Sequence, residues 1–171
     1  VNAVQIGAQI VAYVAERAKA FRDTGRRDDS YDVPFTTAHV GTIRGGTALN
    51  IVPRDCSFEF ELRHLPFDDP DAFLADVKAF AERFVPDMRA VSAETYIDFD
   101  ALSTLPGMDT HDGSEIAKIA HECNGHAEVG KVSFGTEAAL FQGAEIATVI
   151  CGPGHIEQAH QPNEWVTLEQ L

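Results

Sequence analysis

Two imidazoles and a carboxylate fall close together in Cys151-Gly-Pro-Gly-His155-Ile-Glu157-Gln-Ala-His160-Gln-Pro162, a Gly/Pro-rich stretch that follows the apolar run Ile146–Cys151. A neutral imidazole is a common metal ligand, and a neighbouring carboxylate can orient it. In open α/β sheets ligands collect beyond the carboxyl ends of strands, so a buried strand at 146–151 would lead this loop to where chemistry is done. The same residues would also suit a loop that only hydrogen-bonds its own backbone, and spacing does not separate the two. Upstream, Ser133-Phe-Gly135-Thr136-Glu137 puts a glycine and a capping threonine where a strand at 129–134 hands over to a helix at 137–142. Free N–H groups at such a helix start attract a carboxylate or phosphate, or simply need a cap. His121-Glu-Cys123-Asn-Gly-His126 offers three donors, but no second Cys/His pair completes a tetrahedral zinc site. Gly41-Thr-Ile-Arg-Gly-Gly46 lacks the spacing and the lysine of a phosphate loop, and neither a GxSxG turn nor a catalytic Cys–His pairing is present.

These groups need elements to hold them. Asn2 followed by Gln5 resembles a capping box, and Ile6, Ile10, Val14, Ala18 and Phe21 recur at helical spacing, which predicts a helix to about residue 22. The polar run Arg22–Ser30 reads as a solvated loop. A β-branched strand over Phe35–Arg44 turns at Gly45-Gly46 into a second, in which Cys56, Phe58, Phe60 and Leu62 alternate with Ser57, Glu59, Glu61 and Arg63. Asp69-Pro70 caps an amphipathic helix carrying Phe73, Val77, Phe80 and Phe84, and alternation at Val91, Ala93, Thr95, Ile97 and Phe99 predicts a further strand before Leu105-Pro106-Gly107. The order α-β-β-α-β is a ferredoxin-like β-α-β-β-α-β unit without its first strand. From about residue 107 the pattern changes to a helix capped by Ser114 and short apolar runs, one end of an α/β layer. The fold class expected is therefore α/β: a ferredoxin-like α+β domain at 1–106, then part of an α/β domain at 107–171, with the whole read as a piece of a longer chain.

Twenty-seven acidic against 13 basic residues give a net charge of −14, which repels phosphate backbones and anionic membrane surfaces, so neither nucleic acid nor membrane is an expected partner. No apolar run is long enough to span a bilayer, and no signal core is evident. Cys56, Cys123 and Cys151 are odd in number and form no CxxC pair, which fits a reducing, cytoplasmic setting.

Four blocks then carry a resemblance: Gly41-Thr-Ile-Arg-Gly-Gly-Thr-Ala-Leu-Asn50-Ile-Val-Pro53, Phe60-Glu-Leu-Arg63-His-Leu-Pro66, Ser133-Phe-Gly-Thr-Glu-Ala138 and Cys151-Gly-Pro-Gly-His-Ile-Glu-Gln-Ala-His160-Gln-Pro-Asn-Glu164. In this order they resemble the dinuclear zinc amidohydrolases, in the acetylornithine deacetylase-like branch, with desuccinylases, aminoacylases and carboxypeptidase G types as more distant relatives. The resemblance implies a lid and dimerisation domain at 1–106 lacking its first strand, and the C-terminal portion of a zinc-peptidase catalytic domain at 107–171. It further implies a hydrolase for the amide bond of an N-acyl amino acid, N-acetylornithine first, with a place in arginine biosynthesis, and a homodimer formed through the lid. Two zinc ions per complete site, or cobalt, are the implied cofactor, with His160 as a metal ligand; Asn50, Arg63, Gly135 and Thr136 would contact substrate. The catalytic residues and other ligands of the family have no counterpart in these residues, so this chain alone is expected to be inactive. A non-catalytic dimerisation or small-ligand module is the alternative.

Overall fold

The structure, a computed structural model, describes residues 1–123, 130–159 and 161–171. It divides into two compact units, Val1–Gly107 with Gly130–Gly135, and Met108–Val129 with Thr136–Leu171.

The first unit begins with α1 (Ala3–Thr24), whose N-cap Asn2 accepts the Gln5 N–H at 3.1 Å. Strands β1 (Thr37–Gly45) and β2 (Cys56–Arg63) form an antiparallel hairpin, in register from Thr37 opposite Arg63 to Gly45 opposite Cys56, with an irregularity between Val40 and Thr42. Helix α2 (Pro70–Glu82) starts at Asp69, whose carboxylate accepts from Asp71 N–H at 2.9 Å and Ala72 N–H at 3.2 Å. Ile10 and Val14 of α1, Ala38 of β1, and Phe73, Val77 and Ala81 of α2 are buried together, with Phe58, Phe60 and Leu62 packed against them from β2. Two helices thus cover one face of the hairpin. A fully buried Val side chain contributes about 1.5–3 kcal/mol, and Val14 and Val77 are both 0% exposed. Tyr13 and Phe80 stack at 4.0 Å between the helices, and the Tyr13 hydroxyl donates to Asp76 at 2.9 Å.

Three expectations for this unit need correction. The hairpin does not turn tightly at Gly45-Gly46: residues 46–55 form a loop, although Gly46 does take a positive φ of 78°. The stripe ending in Phe84 is not one helix, because α2 stops at Glu82 and α3 (Val85–Val91) restarts with Pro86 in its first turn. Proline disfavours helical geometry in the residue before it and cannot donate within a helix, so the break falls there. The strand expected over 91–99 is absent. Residues 95–99 nonetheless keep its alternation, with Thr95, Ile97 and Phe99 half-buried and Tyr96 and Asp98 exposed. Ile97 and Phe99 pack on the core under the hairpin. In a β-α-β-β-α-β sheet the last strand pairs with the first. No described residue occupies that first position, so the segment has the side-chain pattern of a strand without a ladder.

The second unit holds α4 (Glu115–Cys123), with Ser114 accepting the Ala117 N–H at 3.3 Å, and α5 (Ala138–Gly143). Among the described residues neither apolar run forms a strand. In 130–134 the described pairing is an isolated parallel bridge from Lys131 to Tyr31, and 146–151 has no ladder, with Ile146 and Ile150 about half exposed. A buried strand needs neighbours on both sides, and the described residues provide none here.

Candidate functional site

Side chains in a strand alternate between its faces, so Glu61 and Arg63 point together away from the helices. His39, opposite Glu61 in the register, joins them: its Nδ1 lies 3.6 Å from Glu61 Oε1, and Arg63 Nε donates to the same oxygen at 2.9 Å. Arg63 also donates from Nη1 to the Ser133 carbonyl at 3.2 Å. Ser133 in turn donates its hydroxyl to Asp32 at 2.5 Å, and Lys131 pairs with Asp28 at 3.1 Å. Segment 130–135 is therefore pinned to the loop between α1 and β1 on one side and to the end of β2 on the other.

Two carboxylates of that loop, Asp28 and Asp32, are held below the ordinary carboxylate range. The Ser30 hydroxyl and amide, then Lys131, hold Asp28 down at about 2, and the Ser133 hydroxyl with the Val33 amide lowers Asp32. Burial pushes the Cys56 thiol up, which makes it a poor nucleophile.

The residues singled out from the sequence fall in different places. Arg63 is at the exposed end of β2. Gly135 closes segment 130–135, where a Cβ would stand 3.1 Å from Leu105 Cδ1, a contact tight enough to make a larger residue push. Thr136 opens the second unit, and its hydroxyl accepts the Ala138 N–H at 3.2 Å, the capping role foreseen for it. Helix α5 beyond has six residues, too short to develop much of a helix dipole. Asn50 lies on loop 46–55, at the other end of the hairpin, beside a cleft of about 670 Å³ lined by Gln5, Gly46, Leu49 and Val52 among others. The strand between it and Arg63 rises about 23 Å over its eight residues. The two residues therefore belong to opposite ends of β2. His155 opens a short 3-10 turn, its N–H donating to Gln158 Oε1 at 2.8 Å, which is a backbone role. His160 lies outside the described residues, as does His126.

His160, the one ligand of the implied metal pair expected among these 171 residues, is not among those described. Among the described residues no three His, Cys, Asp or Glu side chains converge to hold a metal ion. No helix among the described residues is long and apolar enough to cross a membrane.

Asp28, Asp32 and Lys131 are the residues that sequence reasoning passed over. Asp28 sits in a charge run that looks solvated, and its cation lies 103 positions away. Only the Asp28-x-Ser30 spacing, which forms an Asx-type turn, marks it locally.

Comparison with known proteins extends these observations. A family model described as a peptidase dimerisation domain, M20_dimer, matches residues 1–89. The acetylornithine deacetylase of Myxococcus xanthus is 34% identical over 144 residues, which is 84% of this chain and 37% of that protein. That of Pasteurella multocida is 26% identical over 171 residues, 99% of this chain and 42% of its own length. The Buchnera aphidicola protein of the same name is 28% identical over 169 residues, again 42% of its length. The chain thus spans about two fifths of the curated relatives it matches.

Proposed function

Because the chain belongs to the M20 peptidase dimerisation-domain family, we propose that it is the lid and a following segment of a metal-dependent amidohydrolase that cleaves an N-acyl amino acid, with N-acetylornithine as its substrate. The observation that carries this is the reach of the similarity: the Pasteurella multocida and Buchnera aphidicola relatives named acetylornithine deacetylase align over 99% and 97% of the chain, well past the dimerisation domain and through the block that contains His160. In this reading Arg63 takes the substrate carboxylate, Asn50 and the Gly135 and Thr136 amides complete its recognition, and His160 is a zinc ligand. The other ligands and the catalytic carboxylate lie outside these 171 residues. The molecule works as a homodimer joined through the first unit, and the free thiols of Cys56 and Cys123 suit a reducing cytoplasm.

The test is hydrolysis of N-acetylornithine by the complete protein that carries these residues. Expected are turnover, its loss to a chelator with recovery on adding zinc, and loss of one equivalent of metal in His160→Ala but not in His155→Ala. A complete protein that dimerises yet hydrolyses no N-acyl amino acid would instead be a dimerisation module, the reading favoured by a family model that ends at residue 89.

A further inference from the structure

Arg63 reaches its position by two contacts of different origin. Glu61 stands two residues earlier on the same face of β2, so the strand itself supplies the bond to Nε. The Ser133 carbonyl that receives Nη1 comes from a segment 70 positions away, and nothing in β2 places it. A guanidinium has five donors in one plane. With Nε and one Nη1 hydrogen engaged, one Nη1 donor and both Nη2 donors remain, the terminal edge that grips a carboxylate by two parallel bonds. The orientation of that edge depends on where segment 130–135 holds the Ser133 carbonyl.

Two aspartates hold the segment. Asp28 Oδ2 takes the Lys131 ammonium at 3.1 Å, and Asp32 Oδ1 takes the Ser133 hydroxyl at 2.5 Å. Tyr31, between them, bridges to Lys131 in parallel fashion, and the ammonium lies 5.2 Å from the Tyr31 ring centre. Both carboxylates are anchored on their own side: Asp28 Oδ1 accepts the Ser30 amide at 3.0 Å and the Ser30 hydroxyl, the Asp28 N–H donates to the Pro34 carbonyl at 3.0 Å, and Asp32 accepts the Val33 N–H at 2.8 Å. Side-chain exposures of 30% for Lys131 and 26% for Asp28 make this the most shielded of the ion pairs among the described residues. Exposed pairs contribute little, and shielding moves a pair out of that class.

We propose that Asp28 and Asp32 are positioning residues: by holding Lys131 and Ser133 they keep the Ser133 carbonyl on Arg63 and so present the terminal guanidinium edge to the carboxylate of an N-acyl amino acid, a ligand class that rests on the function proposed above. Neither aspartate touches the ligand. Their effect passes through Ser133 to Arg63.

The experiment has two arms. In the complete protein, trypsin must draw the Lys131 side chain out of its pair before cutting after it. Asp28→Asn and Asp32→Ala are expected to raise the cleavage rate at Lys131 at least fivefold, with cleavage at Lys118 unchanged, while Asp29→Asn has no effect and Asp32→Asn, which still accepts a hydrogen bond, restores most of the protection. Unchanged rates at Lys131 overturn the proposal. In the complete enzyme, Asp32→Ala and Asp28→Asn are expected to raise KM for N-acetylornithine about tenfold, with kcat within twofold and metal content intact, and Asp32→Asn to recover most of the KM. A fall in kcat and thermal stability with KM unmoved would make the aspartates scaffold and also overturn it. If the complete protein hydrolyses no N-acyl amino acid, the proposed function fails by itself, and the latch is decided by the trypsin rates.

Discussion

Asp28 shows how one side chain acquires several partners that no local pattern displays. Its two oxygens serve the Ser30 turn and the Lys131 ammonium, and these bonds bring its pKa from an ordinary 3.8 to about 2. Asp23, held by Lys19 and Arg22, and Asp32, held by Ser133 and Val33, move the same way. A carboxyl more acidic in the fold than in the unfolded chain stabilises the fold fully above its unfolded pKa, and loses that contribution as pH falls through its folded pKa. The thermal midpoint is therefore expected to decline between about pH 4 and about pH 2. Asp28→Asn should start lower at neutral pH and decline less across that window. Melting followed by near-UV circular dichroism at several pH values checks this, and parallel curves for the two proteins would show that Asp28 is not among the responsible groups. Thr36 is a second case: at 1% exposure it reads as one more β-branched strand residue, yet its hydroxyl donates to Asp68 and accepts the Leu65 N–H at 3.0 Å. Its β-branched type was legible; its burial and its polar bonds were not, because both partners lie about 30 positions on.

Elements whose stability is local were the ones that pattern and capping chemistry disclosed. Asn2 and Asp69 are N-caps as foreseen, β2 alternates as foreseen, and α2 begins at the proline that marks a helix start. Removing the Asp69 cap leaves two first-turn N–H groups to water, so Asp69→Ala is expected to cost about 0.5–2 kcal/mol in urea unfolding, whereas Asp69→Asn, an equally good cap, should be nearly neutral. A cost confined to Asp69→Asn, or none in either, would remove the cap from the account of α2. Elements that depend on distant partners were misjudged. Thr95–Phe99 has a strand's alternation, and Ile146–Cys151 a buried strand's composition, but a strand exists only as a member of a ladder, and neighbours do not appear in a single segment's periodicity. The same limit applies to the site: Arg63 could be picked out on the polar face of its strand, whereas Lys131 and Ser133 could not be brought to it without knowing that Gly130–Gly135 packs into the first unit.

At the scale of the whole molecule, the hairpin sets a constraint on how its two candidate binding residues can work. Asn50 is on the loop at one end of β2 and Arg63 is at the other end of that strand, which by itself rises about 23 Å, more than the length of an N-acyl amino acid. If both touch substrate, each must do so at a different site, and in a two-fold dimer that means Arg63 from one chain and Asn50 from its partner. Mixed dimers separate this from the alternative. With Asn50→Ala in one chain of the complete enzyme and Arg63→Ala in the other, a shared site built across chains has one intact copy, containing Arg63 of the first and Asn50 of the second, while the other copy lacks both residues. Equal mixing makes half of the dimers mixed, and half of their sites whole, so about one quarter of the parent activity is expected to return on exchanging two variants that are each nearly inactive. If both residues served a site within one chain, every site in every dimer would keep one lesion and mixing would restore nothing. The measurement is hydrolysis of N-acetylornithine before and after subunit exchange, with light scattering to confirm that dimers have re-formed. Recovery near one quarter assigns Asn50 to the partner's site; no recovery from two variants shown to exchange confines Asn50 and Arg63 to a single chain, and their places at opposite ends of β2 then argue that one of the two never meets the substrate.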